Sequence, residues 1–314
     1  MAPLDASGDD RILPFQVAQS PVRGRVVRLG RAADALLSAH PFDAPVLELV
    51  GEAAALVALM GSSLKFDGKL ILQAQGDGPL SMVVADYAAS GALRATAMRA
   101  SDAPKGARGL TGLLGAGHMA LTVDQGPDME RYQGVTPLEG GDFATAAVSY
   151  FRQSEQIPTA VKLAVGRVAR PGAAETWRVG GIIAQFIPGE GGGRARGEAA
   201  LQAPEEEDLW RRAVAHIETV QADELLDPGL SAESLLYRLF HEDGVRVFDP
   251  VAVRAECSCN AERIGRVLER YEKASLADMV EDGAIRVGCE FCRRTYLFDD
   301  EGQFMRMVAP GIAS

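Results

Sequence analysis

All four cysteines of this 314-residue chain fall within its last 58 residues. They form a Cys-Ser-Cys pair, Cys257 and Cys259, and a Cys-Glu-Phe-Cys pair, Cys289 and Cys292. Four thiols in two close pairs suit one tetrahedral Zn²⁺ ion, with Zn–S bonds of about 2.3 Å. A C-x-x-C on a tight turn delivers two thiolates to one ion. In a C-x-C, alternate residues of an extended segment share a face, so both side chains point one way. Each pair can therefore supply one edge of a tetrahedron. The nearest histidine, His241, lies outside the segment, so a Cys₄ set is expected rather than Cys₃His. Four protein ligands leave no position for water, which argues against a catalytic ion.

The same spacing permits redox chemistry. Each pair can close on itself, Cys257 with Cys259 and Cys289 with Cys292. The thiolate is the form that binds metal, so oxidation would eject the ion and release whatever the ion held. A ring closed over Cys-Ser-Cys is tight, and strained disulfides are the labile kind. Spacing alone leaves two readings open: a structural zinc module and a thiol switch.

The rest of the chain must position these thiols. Charged residues make up 24% and hydrophobic residues 47%, which is ordinary for a soluble globular protein. The formal net charge of −11 argues against nucleic acid as a partner, since phosphate binding needs a basic footprint. Met1–Asp10 is polar and acidic, with no signal-peptide pattern. The most apolar run, Ala53–Met60, is too short to span a bilayer. No membrane partner is expected, and the location expected is cytoplasmic. Thiols there stay mostly reduced, so paired cysteines more often bind metal or sense redox than form structural bridges.

Three regions are expected. Residues 1–188 read as an α+β core domain. Arg23–Leu29, Lys69–Gln75, Ser81–Tyr87, His118–Asp124 and Val161–Val168 show strand patterning, and Ala32–His40, Val46–Met60 and Phe143–Gln153 show helical patterning. Residues 189–250 read as a linker. It opens on the flexible Gly189–Gly197 run and continues into helices. Glu205–Asp208 places acid at a helix start, and Trp210, Val214, Ile217 and Val220 share one face of that helix. Ser231 caps a second helix bearing Leu235, Leu236, Leu239 and Phe240. Either these helices pack firmly on the core, or their narrow apolar faces and dense charge leave them metastable. Residues 251–314 read as a small zinc-binding domain. Asn260 caps a helix over Ala261–Tyr271, and Ser275 caps another that Gly283 ends. Ile285–Val287 and Thr295–Phe298 flank the second cysteine pair as a hairpin. So small a region has little core, and metal binding should contribute much of its folding energy.

The C-x-C, 29 residues and C-x-x-C near the C-terminus resemble the 33 kDa heat shock protein family, the redox-regulated holdase chaperones. The mass of 33.3 kDa agrees. Further segments carry the likeness: Leu64–Gly68, Gln75–Pro79, Glu130–Gly134, Leu138–Gly140, Tyr150–Gln156, Tyr237–Gly244 with Phe248–Pro250, and Glu281–Gly283. The Gly-rich insertion and a longer N-terminus depart from it. The resemblance implies a reduced, inactive form holding one Zn²⁺ through Cys257, Cys259, Cys289 and Cys292. It implies oxidation to two disulfides, Cys257–Cys259 and Cys289–Cys292, with loss of zinc. It further implies unfolding of the C-terminal module and linker, homodimerisation, and ATP-independent binding of unfolding client proteins. Trp210, Leu235, Leu236, Leu239 and Phe240 are candidate client contacts, although such faces more often pack.

Enzyme readings find less support. There is no G-x-S-x-G and no H-E-x-x-H, and His40, His118, His216 and His241 are scattered. Gly112, Gly115 and Gly117 lack dinucleotide-loop spacing. The main rival is a zinc-ribbon interaction protein that keeps its zinc under oxidant.

Overall fold

The computed structural model describes residues 8–18, 20–64, 67–102, 105–126, 129–169, 172, 174–187 and 204–309. Its contacts divide the chain into two units. The larger comprises the chain up to Leu37 and Phe42–Ala255; the smaller comprises Ser38–Pro41 and Glu256–Ser314. The Gly189–Gly197 run lies outside the described residues, as do Lys65 and Phe66 of the Leu64–Gly68 segment.

The larger unit is α+β. In chain order it carries β1 (Arg11–Val17), β2 (Val22–Leu29), α1 (Arg31–Leu37), α2 (Ala44–Gly61), β3 (Lys69–Gly76), β4 (Leu80–Ala88) and β5 (Ala92–Arg99). Then come α3 (Gly109–Leu114), β6 (Gly117–Asp124), β7 (Tyr132–Pro137), and α4 (Phe143–Tyr150), which runs into a π-turn over Phe151–Glu155. β8 (Thr159–Val168) and β9 (Thr176–Phe186) precede three helices, α5 (Pro204–Thr219), α6 (Ala222–Leu226) and α7 (Ala232–Phe240). Short strands β10 (Val245–Val247), β11 (Val251–Ala252) and β12 (Arg254–Ala255) close it. One sheet has the order β10-β1-β2-β9-β8, with β11 also on β1; the other is β12-β5-β4-β3-β6-β7.

Helix α2 holds these sheets together. A helix apolar all round belongs in a core, and α2 packs on β3, β4 and β5 of one sheet and on β2, β8 and β9 of the other. Ala44–Gly61 is long and apolar enough to cross a membrane by length and composition, but 72% of that window is buried inside the unit. The apolar stretch thus extends well beyond Ala53–Met60, and its role here is a core helix. The first sheet is apolar on both faces. Ile12, Val27, Val179 and Ile183 face α2, whereas Leu13, Phe15, Val26, Ile182 and Phe186 face the side covered by α5, α6 and α7.

The five strands expected from patterning lie within β2, β3, β4, β6 and β8. α1 stops at Leu37 rather than His40. α4 stops at Tyr150, where the backbone widens into the π-turn that Gln156 ends with a left-handed φ of 54°. β1, β5, β7 and β9 were not expected from the sequence; β9 is buried on both faces, which removes the alternation that marks a strand.

The smaller unit contains α8 (Ala261–Leu268), α9 (Lys273–Asp278), β13 (Val280–Glu281), β14 (Ala284–Gly288), β15 (Thr295–Phe298) and β16 (Phe304–Val308), the strands pairing in that order. The Asn260 side chain caps α8 by accepting the Arg263 N–H at 2.8 Å, but α8 ends at Leu268, short of Tyr271. α9 starts at Lys273 behind Glu272, so Ser275 is inside the helix and caps nothing. Gly283 closes a hairpin rather than a helix. Asp282 and Gly283 both take left-handed φ values, 49° and 77°, as a two-residue turn between β13 and β14 requires.

Candidate metal centre

Cys257 and Cys259 lie in the irregular stretch between β12 and α8, and Cys289 and Cys292 in the turn joining β14 to β15. The register Gly288↔Thr295 sets the second pair at the hairpin end. Within that turn the Cys289 N–H donates to the Arg294 carbonyl at 2.9 Å, and the Arg293 N–H donates to the Cys289 carbonyl at 2.8 Å. Arg293 sits at a φ of 56°, which folds the chain tightly enough to turn both thiols inward.

The four sulfurs all lie within 4.8 Å of one another, and all four residues are half-buried, free thiols. Cys257 Sγ is 3.7 Å from Cys289 Sγ, and Cys259 Sγ is 3.3 Å from Cys292 Sγ. A tetrahedron of sulfurs about 2.3 Å from a central ion has edges of about 3.8 Å. The cluster therefore has the dimensions of a four-thiolate metal site. Among the described residues it is also the group of His, Cys, Asp and Glu close enough to share an ion. Soft sulfur donors alone select a thiophilic ion.

The thiols are not equivalent. The contact with Cys257 Sγ pulls the Cys289 pKa down to about 4, against the opposing effect of burial and with help from the N–H groups of Cys292 and Phe291. The same contact, with burial, pushes Cys257 up. Burial raises Cys292 to about 11. A cation at the centre would compensate the crowded negative charge and favour four thiolates together.

Tyr296 was not singled out in the sequence. Its hydroxyl lies 3.2 Å from Cys259 Sγ and donates to the Cys259 carbonyl at 3.3 Å. The strand Thr295–Phe298 was legible, and its alternation places residue 296 on the inner face. Tyr296 also belongs to the unit's small core, with Leu268, Leu276, Ile285 and Phe298. A core cluster of five buried side chains is small for a unit of this length.

The helices α5, α6 and α7 pack on the first sheet. Pro204 opens α5 and acidic residues 205–207 fill its first turn. Ile217, Val220, Leu235, Leu236, Leu239 and Phe240 are at most 7% exposed, and Trp210 lies edge-on to Phe186. The apolar faces considered for client contact are thus occupied by the sheet. A polar network unseen in the sequence adds to this. Arg178 makes two bonds to Asp9, at 2.8 and 2.7 Å, and donates to the Leu226 carbonyl at 2.6 Å. Arg28 donates to the carbonyls of Glu224 and Asp227 and lies 3.6 Å from Asp9. Two buried guanidiniums on the sheet therefore hold the C-terminal carbonyls of α6, which have no helical partner. Asp9, Arg28 and Arg178 are far apart in sequence, and no local pattern announces them.

An α+β unit carrying docked helices, followed by a unit built on four clustered thiols, defines a two-unit thiol-cluster protein. The family model described as "Hsp33 protein" matches residues 10–299. A 33 kDa chaperonin from Caulobacter vibrioides (strain NA1000 / CB15N) is 48% identical over 312 residues, covering 96% of this chain and 99% of its own. One from Shewanella loihica is 36% identical over 283 residues, 88% of each chain. The crystal structure of a 33 kDa chaperonin from Thermotoga maritima shares the fold, with a TM-score of 0.75 at 22% identity over 93% of this chain and 96% of that one. The chain belongs to the Hsp33 protein family.

Proposed function

We propose that this chain is a redox-regulated, ATP-independent holdase chaperone and not an enzyme. The four-sulfur cluster is the observation that carries the reading. In the reduced state Cys257, Cys259, Cys289 and Cys292 hold one Zn²⁺, and the protein is inactive. Structural zinc contributes about 10–16 kcal/mol to folding small modules, and the small core of this unit needs it.

Hydrogen peroxide takes two electrons from each thiolate pair, the S–S bond forming as the O–O bond breaks, and its oxygens leave as water with two protons from solvent. The disulfides proposed are Cys257–Cys259 and Cys289–Cys292. The shortest sulfur contacts instead run between the pairs. They are the edges shared around an ion, so they do not dictate pairing once the ion has left. The small core then fails to hold the two segments together, and each thiol meets its sequence neighbour first. With zinc gone, the smaller unit unfolds. Residues 189–250 act as the linker that loosens with it, between a core of 1–188 and a zinc module of 251–314. Undocking α5, α6 and α7 would expose Trp210, Leu235, Leu236, Leu239 and Phe240 to clients. The oxidised form is proposed to be a homodimer acting in the cytoplasm, without nucleic acid or membrane partners.

The test measures zinc release and light scattering of a heat-aggregating client, with and without hydrogen peroxide. Oxidation should release one zinc per chain and suppress scattering. Zinc retained under peroxide would favour a purely structural zinc ribbon. Zinc released without suppression would reject the chaperone.

A further inference from the structure

A cavity of about 210 Å³ opens in the larger unit beside the C-terminal end of α2. Leu59, Met60, Leu121, Val123, Phe151 and Ile183 give it apolar walls. Arg25 reaches it from β2, opposite Ile183 of β9. Arg25 Nε is buried and has no hydrogen-bond partner among the described residues. Burial pushes its guanidinium pKa down, opposed in part by Tyr87. A buried donor left without an acceptor is costly, and an anion bonded to the guanidinium removes that cost.

The acid on the wall is already engaged. The hydroxyls of Tyr132 and Tyr150 both donate to Glu155 Oε1, at 3.2 and 2.9 Å. Phe151 and Glu155 come from the π-turn, and such turns concentrate at functional sites. Leu64, Tyr132 and Tyr150–Glu155 lie in three of the segments that carry the family likeness, and the thiol chemistry gives none of them a task. The volume is below the roughly 300 Å³ at which pockets for drug-sized ligands begin, so the occupant is small.

We propose that this cavity binds a small amphipathic carboxylate, its acid group on the Arg25 guanidinium and its apolar body among Leu59, Leu121 and Phe151. Arginine suits this role because its fork can bond both carboxylate oxygens. The site is independent of the cysteines.

Sodium octanoate and octanol are the probes, titrated into the reduced full-length chain and followed by calorimetry and amide NMR. Octanoate should saturate at one per chain, at least tenfold more tightly than octanol, with shifts at Leu59, Phe151 and Ile183. Arg25→Gln should weaken octanoate at least tenfold and leave octanol unchanged. Equal affinity for the two probes, no octanoate binding, or shifts confined to residues outside the cavity would overturn the proposal. The wild-type comparison decides the matter even where Arg25→Gln does not fold.

Discussion

Each cysteine offers one sulfur to a cluster with the dimensions of a tetrahedral ion site, and each is replaceable singly. Cys259→Ser or Cys292→Ser puts a poor ligand where a thiolate stood. Zinc affinity, read by chelator competition, should fall more than it does for Tyr296→Phe. That variant removes only a hydroxyl beside Cys259, and supporting groups of this kind are worth about 10–100-fold in metal affinity. A Tyr296→Phe loss equal to a cysteine loss would mean that the hydroxyl does more than support. Glu52 on α2 makes a different prediction. Burial raises its pKa from the ordinary 4.5 to about 7, partly opposed by the Phe143 N–H that donates to it at 3.2 Å. Below pH 4.5 the carboxyl is protonated in both folded and unfolded chains and costs nothing. Between 4.5 and 7 the unfolded chain ionises first, so stability falls as pH rises, then levels off. The whole effect is at most about 3 kcal/mol. Urea unfolding at pH 5 and pH 8 should show this loss in the wild type and a smaller one in Glu52→Gln.

Helices α5, α6 and α7 are held by two different kinds of contact. Their apolar side chains lie on the sheet, each worth about 1.5–3 kcal/mol when fully buried. The charged network of Asp9, Arg28 and Arg178 is the more brittle part. Removing one partner of a buried ion pair costs about 3–5 kcal/mol, because a charge is left alone. Asp9→Asn should therefore raise amide exchange across α6 while leaving the β3–β4 hairpin protected. Close approach matters as well. A Cβ at Gly180 of β9 would sit 2.5 Å from the Leu225 carbonyl, so Gly180→Ala should push α6 off the sheet and act in the same direction. Unchanged exchange in both variants would mean that apolar packing alone docks the helices. Much of this region was legible: the Ser231 cap forms, its hydroxyl accepting the Ser234 N–H at 3.1 Å, and Ile217 and Leu236 face inward. The choice between firm packing and a loose segment was not legible. It depends on what covers the apolar face, and the cover comes from residues roughly 20 to 200 positions away in sequence.

The two units divide the energetics of the molecule. The larger has an extensive apolar core around α2, and the smaller has a few buried side chains and a thiol cluster. Peroxide treatment should therefore strip amide protection from residues 256–309 while β3, β4 and β6 stay protected, as read by hydrogen exchange. A chelator under reducing conditions should unfold the same unit without forming disulfides. Loss of protection in the larger unit's sheets under either treatment would contradict this division.

Local rules go far in this chain. Cysteine spacing marked the thiol site, because two short-range pairs need only local geometry to turn toward one point. Alternation marked β2, β3, β4, β6 and β8 but not β1, β5 or β7, and the capping residues Ser231 and Asn260 marked the starts of α7 and α8. β9, buried on both faces, lost its pattern and was missed, whereas the helix expected over Val46–Met60 lies within α2. Tertiary contact settled the rest. It brought Asp9 to Arg28 and Arg178, placed Tyr296 at Cys259, and left Arg25 facing an apolar cavity. Those arrangements join residues from separate strands and turns, and pairings between distant segments leave no periodic trace along a single chain.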